Sequence, residues 1–266
     1  MRTLGNLLAL LLAGVATAFA HLPAGKLVDL THPFDAQTIF WPTEDGFVLH
    51  KQFDGVTDKG YYYSANRFCT AEHGGTHVDA PVHFRRGGRT VDALPLEQLI
   101  GAAVVIDVSA RARVKPDYQV RSNDFLDWEQ AHGRIPDGAI VLLRTGFGKF
   151  WPYRASYMGT EEHGHEAVAK LHFPGLHPAA AKWLVRERAI KAVGLDTPSI
   201  DYGQSATFDT HQILFAADIP AFENVAHVSA VPAIGAFVIA LPMLIRGGSG
   251  GPLRIVAVLP EGAVPR

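Results

Sequence analysis

Four side chains that bind metals or carry protons, His73, His77, Asp79 and His83, fall within the eleven residues of HGGTHVDAPVH. Metal ligands need a lone pair, little conformational freedom and convergence on one point. Gly74 and Gly75 make a regular helix improbable between the first two histidines, so the spacing predicts a tight bend that brings their imidazoles together. From His77 onward the stretch reads as extended chain. Alternate residues of a strand share a face, which would align His77, Asp79 and His83 with Pro81 between them. Two imidazoles and a carboxylate suit zinc, manganese or iron, whereas calcium prefers oxygen cages. His83 is either a further ligand or a proton carrier beside the metal, a task imidazole performs near neutral pH.

The stretch also fits the longer pattern His-x-Gly-Thr-His-x-Asp-x-Pro-x-His, which resembles the signature of the cyclase family of metal-dependent hydrolases. That family includes bacterial kynurenine formamidases and isatin hydrolases. The resemblance extends through AVGLDTPSID, THQILFAADIPAFENV and GPLRIVAVLP, so it covers roughly residues 26–260. Carried over residue by residue, it implies that His73, His77 and Asp79 bind one metal. Asp79, His211 and Glu223 would serve a second, with Asp79 bridging, and His83 would be the general acid/base. The implied cofactor is Mn2+ or Zn2+, as one or two ions. The implied reaction is hydrolysis of a carbon–nitrogen amide bond in a small aromatic substrate, by water activated at the metal. The form of the motif favours a cyclic amide such as isatin, opened to isatinate, over N-formylkynurenine. A lactone hydrolase and an exported metal- or ligand-binding protein without turnover are the alternatives, and the presence of His83 favours catalysis over binding. A homo-oligomer is also implied.

Aromatic residues upstream of the motif, Phe40, Trp41, Tyr61, Tyr62, Tyr63 and Phe68, could wall a flat pocket or pack as strand faces. Trp41 is the candidate substrate contact. The single cysteine, Cys69, excludes an internal disulfide and reads as a small packed residue. EEHGHE, from Glu161 to Glu166, reads as capping a following element rather than as a metal site. RGGSGG from Arg246 reads as a flexible loop and lacks the lysine of a phosphate loop.

These groups need a scaffold, and the chain supplies an α/β one. GAAVVIDVS, GAIVLLRTG and KAVGLDTPSID are short continuous apolar runs, expected of strands buried on both faces. Between them lie helical stretches. SNDFLDWEQAHG has Ser122 or Asn123 as cap and Gly133 as stop, and HPAAAKWLVRERA has a proline near its first turn. AFVIALPML and LRIVAVLP are strand-grade runs near the end. One domain over residues 21–266 is expected, and the resemblance implies a mixed β core of the swivelling β/β/α type. With 24 basic and 26 acidic side chains, no basic face points to a nucleic acid. Residues 1–20 read as a secretory signal: an apolar run from Leu7 to Ala16, then Ala18-Phe19-Ala20 before a mature end at His21. The run is too short for a good membrane span, so export, to the periplasm, is the expectation.

Overall fold

The computed structural model describes residues 25–262, so the leader at 1–20 lies outside the described residues. Twelve strands occur in chain order: β1 (Lys26–Asp29), β2 (Val48–Val56), β3 (Tyr62–Cys69), β4 (His77–Asp79), β5 (Ile100–Asp107) and β6 (Gln119–Val120). They continue with β7 (Ile140–Arg144), β8 (Gly175–Leu176), β9 (Ala192–Leu195), β10 (Ala221–Glu223), β11 (Ala236–Pro242) and β12 (Gly250–Leu259). Eight of them form one sheet in the order β1-β12-β11-β5-β7-β9-β10-β4. The first half of β12 also pairs with β4, which closes the sheet into a barrel. Within this sheet β5, β7, β9 and β10 run parallel and the other pairings are antiparallel, while β6 and β8 form a separate parallel pair.

The three apolar runs form the parallel strands β5, β7 and β9 because both of their faces are buried. Ala103, Val105, Ile140, Leu142 and Ala192 fill one core with Phe222 and Ile255. Their alternates Val104, Ile106, Val141, Leu143, Val193 and Leu195 face a second core under the helices, where Phe125, Leu184 and Leu214 meet them. The helices Ser122–His132, Pro178–Glu187 and Asp209–Ala216 supply those three side chains. The first begins one residue earlier than a Ser122 or Asn123 cap implies. Arg121 is at the cap position, its N–H donating to Asp124 Oδ2 at 2.6 Å, and Gly133 ends the helix at φ +87°. The second is capped by His177 Nδ1, which accepts from Ala179 N–H. EEHGHE bonds back to the preceding helix, Arg154–Met158, and not to a following element: Glu161 accepts from Ala155 N–H, and Glu162 pairs with Lys170.

β2 and β3 differ from the rest. They pair only with each other among the described strands and stand away from both cores. Tyr61, Tyr62, Tyr63 and Phe68 are therefore exposed and do not line the cavity beside the His77–Asp79 strand, and Cys69, expected to be packed, is exposed at the end of β3.

Candidate metal centre

Strand β4 is only three residues long, and its two neighbours make it a platform. In the antiparallel pairing with β10, His77 lies opposite Glu223 and Asp79 opposite Ala221. Val78 and Phe222, the pair between them, point into the barrel core. Directly paired residues present side chains on the same face, so the register itself delivers Glu223 to His77. On the other edge Asp79 pairs with Gly250 of β12. A Cβ at Gly250 would lie 2.5 Å from Val78 O and 2.6 Å from His73 Cε1, so only glycine permits this approach.

The bend before β4 is built as the glycines require. Gly75 sits at φ +57°, and Gly74 packs against the ring of Phe40. The extended reading beyond Asp79 is corrected: β4 stops there, and Pro81–His83 form a 3-10 turn. Proline at the first position lacks a donor for a continuing ladder and its fixed φ suits the turn. His77 and Asp79 do share a face. His83 reaches the same place through the turn, its ring stacked on His73 with centroids 3.7 Å apart and planes 16° from parallel.

Five side chains converge. Asp79 Oδ1 lies 2.7 Å from His73 Nδ1 and 3.0 Å from His77 Nε2. Asp79 Oδ2 lies 3.1 Å from His211 Nε2, and Glu223 lies 3.2 Å from the same nitrogen and 3.5 Å from His77 Nε2. Ligand-competent atoms of His73, Asp79 and His83 are mutually within 4.8 Å, and so are those of His77, Asp79 and Glu223. Trp41, the proposed substrate contact, lines the same cavity, with its ring edge-on to Phe173 and Phe208.

The far nitrogens settle which atoms face the centre. His77 Nδ1–H donates to Gly75 O (3.0 Å), leaving Nε2 buried without a hydrogen-bond partner. His211 Nδ1 is held by Asp201 Oδ2 at 2.6 Å, and Asp201 also accepts from the Thr210 and His211 backbone N–H groups. Ser249 Oγ donates to Glu72 Oε2 (2.6 Å) and so accepts from His73 Nε2–H (2.8 Å). Each imidazole thereby turns a lone pair toward buried carboxylates. Lone pairs facing carboxylates in a dry site are stable only with positive charge between them.

The electrostatics tell the same story. Burial alone would lower His77, yet Asp79 and Glu223 raise it to about 9. His211 is likewise raised well above its ordinary value against its own burial, by Asp201, Asp79 and Glu223. Burial would raise Asp79, but His73 and His77 hold it well below the usual carboxylate range. Glu223 is raised, by burial and then by Asp79. His77 and His211 are driven toward their charged forms because the carboxylates beside them demand cations, and a divalent metal meets that demand. The residues fit one. His83 differs: burial, with His73 and His211 adding to it, pushes it down to about 4 despite the attraction of Asp79, so it is neutral near pH 7.

Asp201, Ser249 and Asn224 were not foreseen as site residues. Asp201 ends AVGLDTPSID, but nothing in the sequence marks one aspartate there as the anchor of a histidine ten residues on. Ser249 belongs to RGGSGG, which is tied down by its bonds to His73 and Glu72. The cavity over the centre is ≈ 190 Å³ and is walled by Phe40, Trp41, Phe84 and Phe208. Phe84 and Phe208 come from the turn after β4 and the start of the Asp209–Ala216 helix.

A closed mixed barrel with a histidine–carboxylate centre beneath an aromatic pocket defines a class, that of barrel-cored α/β hydrolases. The profile of the Cyclase family matches residues 28–202. The chain is 30% identical over 222 residues to the isatin hydrolase of Roseibium aggregatum, covering 80% of this chain and 81% of that one. It is 31% identical over 235 residues to the kynurenine formamidase of Sphingopyxis alaskensis, covering 87% and 97%. The solved structure of isatin hydrolase A from Labrenzia aggregata, bound to benzyl benzoate, superposes with a TM-score of 0.79 and 33% identity. The match covers 89% of this chain and 94% of that one. The chain belongs to the Cyclase family.

Proposed function

We propose that this protein is a metal-dependent hydrolase that opens the amide bond of a small cyclic aromatic amide, isatin to isatinate. The observation that carries the reading is the pocket itself: buried metal-type ligands lie under an aromatic box with no lysine or arginine among its described lining residues. N-formylkynurenine carries an α-carboxylate that would need a cationic partner, and isatin does not. The volume of ≈ 190 Å³ is below the roughly 300–1,000 Å³ of pockets for drug-sized ligands, which suits one small bicyclic molecule. Similarity to both isatin hydrolases and formamidases supports a carbon–nitrogen amide as the scissile bond.

His73, His77 and Asp79 would hold a divalent cation, and Asp79, His211 and Glu223 a second. Such an ion supplies hydroxide at neutral pH from water and polarises the substrate carbonyl. The chain's own residues do the rest. Phe40, Trp41, Phe84 and Phe208 sandwich the flat ring and exclude water. His83, neutral at pH 7 and facing the pocket, takes the proton released by attacking water and delivers it to the departing amide nitrogen.

A complete second ligand set, Asp79, His211 and Glu223, keeps kynurenine formamidase as the other reading, since the family resemblance associates two zinc ions with those enzymes and a single manganese with isatin hydrolases. Absorbance-monitored hydrolysis of isatin and N-formylkynurenine, side by side, tests the choice. Turnover of isatin alone is expected, and turnover of the formamide alone would replace this reading with the second.

The hairpin β2–β3 supports a homodimer. A lone two-stranded hairpin is marginal in water, yet this one exposes Leu49, Val56 (69%), Tyr62 (65%) and Phe68. A second copy covering it would remove both problems. The apolar leader from Leu7 to Ala16 supports export.

A further inference from the structure

The tautomer of His77 depends on Gly75 O, which accepts its Nδ1–H. That carbonyl accepts a second bond, from Asn224 Nδ2 at 2.7 Å. A carbonyl only accepts, so the Asn224 amide is oriented with Nδ2 toward Gly75 and Oδ1 away. Oδ1 then needs a donor, and the Tyr157 hydroxyl supplies it at 2.8 Å, with Asp196 O a longer contact at 3.3 Å. Tyr157 is fully buried and lies behind Asn224, outside the cavity lining.

Among the described residues, His77 and Asn224 are the donors that reach this carbonyl, while Gly75 N–H donates to Ile39 O at 3.0 Å. Gly75 is at φ +57°, and a Cβ there would lie 2.5 Å from the Phe34 ring, so residue 75 has no side chain to anchor it. Asn224 is itself firmly placed. It adopts φ +53°, its N–H donates to Thr197 O, and its carbonyl accepts from Thr76 Oγ1 at 2.7 Å. Asparagine tolerates that left-handed conformation better than most residues. The arrangement is a chain of four groups: the Tyr157 hydroxyl, the Asn224 amide, the Gly75 carbonyl and the His77 imidazole.

We propose that Tyr157 and Asn224 are positioning residues that fix the tautomer and aim of His77 through the Gly75 carbonyl. They thereby set how tightly the His73–His77–Asp79 site holds a divalent cation. The proposal rests on the reading of that site as a metal centre. Outer partners of metal-bound histidines typically contribute roughly 10- to 100-fold in affinity.

The test is Zn2+ affinity, measured by competition with a chromophoric chelator on the full chain, together with the thermal midpoint of the metal-free protein. Tyr157→Phe deletes only the hydroxyl and is expected to weaken Zn2+ binding by roughly 10- to 100-fold. Asn224→Asp keeps the acceptor for Tyr157 but loses the donor to Gly75, and is expected to show a similar loss. In the double variant the losses are expected to fall short of additive, because both act through one carbonyl. A lower metal-free midpoint with Zn2+ affinity within about twofold of wild type would mean a purely structural role and would overturn the relay. Should Tyr157→Phe fail to fold, Asn224→Asp decides by the same readout. Wild-type protein that binds no Zn2+ would instead remove the metal centre on which the relay depends.

Discussion

His83 and His73 are stacked rings of the same residue type with different tasks, and their surroundings separate those tasks. His73 has both nitrogens engaged, one on Ser249 and one against Asp79. His83 has a ring facing the pocket and a pKa pushed down to about 4, chiefly by burial. His83→Ala is therefore expected to keep its metal while turnover falls roughly 10²- to 10⁴-fold. Elemental analysis beside a rate measurement checks this, and loss of metal would make His83 a ligand. Asp201 acts one bond further out. Asp201→Asn removes the carboxylate that holds His211 Nδ1 and weakens the second ligand set. Metal stoichiometry is expected to fall toward one ion, or affinity roughly 10- to 100-fold, in equilibrium dialysis. Unchanged stoichiometry and affinity would show that His211 needs no such anchor.

At the scale of elements, the sequence was most readable where burial is complete and local. The runs that became β5, β7 and β9 are apolar at nearly every position because each face meets a core, and that pattern needs no knowledge of partners. The bend at Gly74–Gly75 was legible for the same reason: the glycines that permit it are in the motif. The remainder of the centre depends on strand register between segments far apart in the chain. Glu223 faces His77 because β10 pairs with β4, and only the family resemblance pointed to it. Asp201, Ser249 and Asn224 are single polar residues in separate turns, and no periodicity marks them. The aromatic run in β3 misled in another way. Its composition suits a buried strand, but the hairpin reaches away from the body of this chain.

One element carries a pH signature of its own. His32 lies three residues beyond β1, is 8% exposed, stacks on Trp151 at 4.1 Å and has Nε2 unpartnered. Burial, with His227 adding to it, lowers its pKa from 6.5 to about 4. The folded state thus binds fewer protons than the unfolded state between those values. Its neutral form is at no disadvantage above pH 6.5, and stability falls as pH drops from 6.5 toward 4, by on the order of 3 kcal/mol. His32→Phe keeps a ring against Trp151 and is expected to flatten that decline in urea titrations across the window. An equally steep decline in the variant would place the proton uptake elsewhere.

The closed barrel fixes the placement of this small centre. β4 is pinned on both edges, by β10 and β12, so ligands on three residues inherit the rigidity of the entire sheet. The β2–β3 hairpin lies outside this closed sheet. If a second copy covers it, Leu49→Glu with Tyr62→Glu is expected to shift the protein from dimer to monomer in sedimentation. A wild-type protein that sediments as a monomer would leave the exposed hairpin without a partner copy.

Hydrolysis of a cyclic amide is expected to depend on a metal held by His73, His77 and Asp79. Isatin turnover should be followed by absorbance in chelator-stripped protein, before and after Mn2+ or Zn2+ is returned, with Asp79→Ala in parallel. The expected result is no turnover when stripped, recovery with one of the two metals, and neither metal nor turnover in Asp79→Ala. Full turnover by the stripped protein, or by Asp79→Ala, would contradict the account.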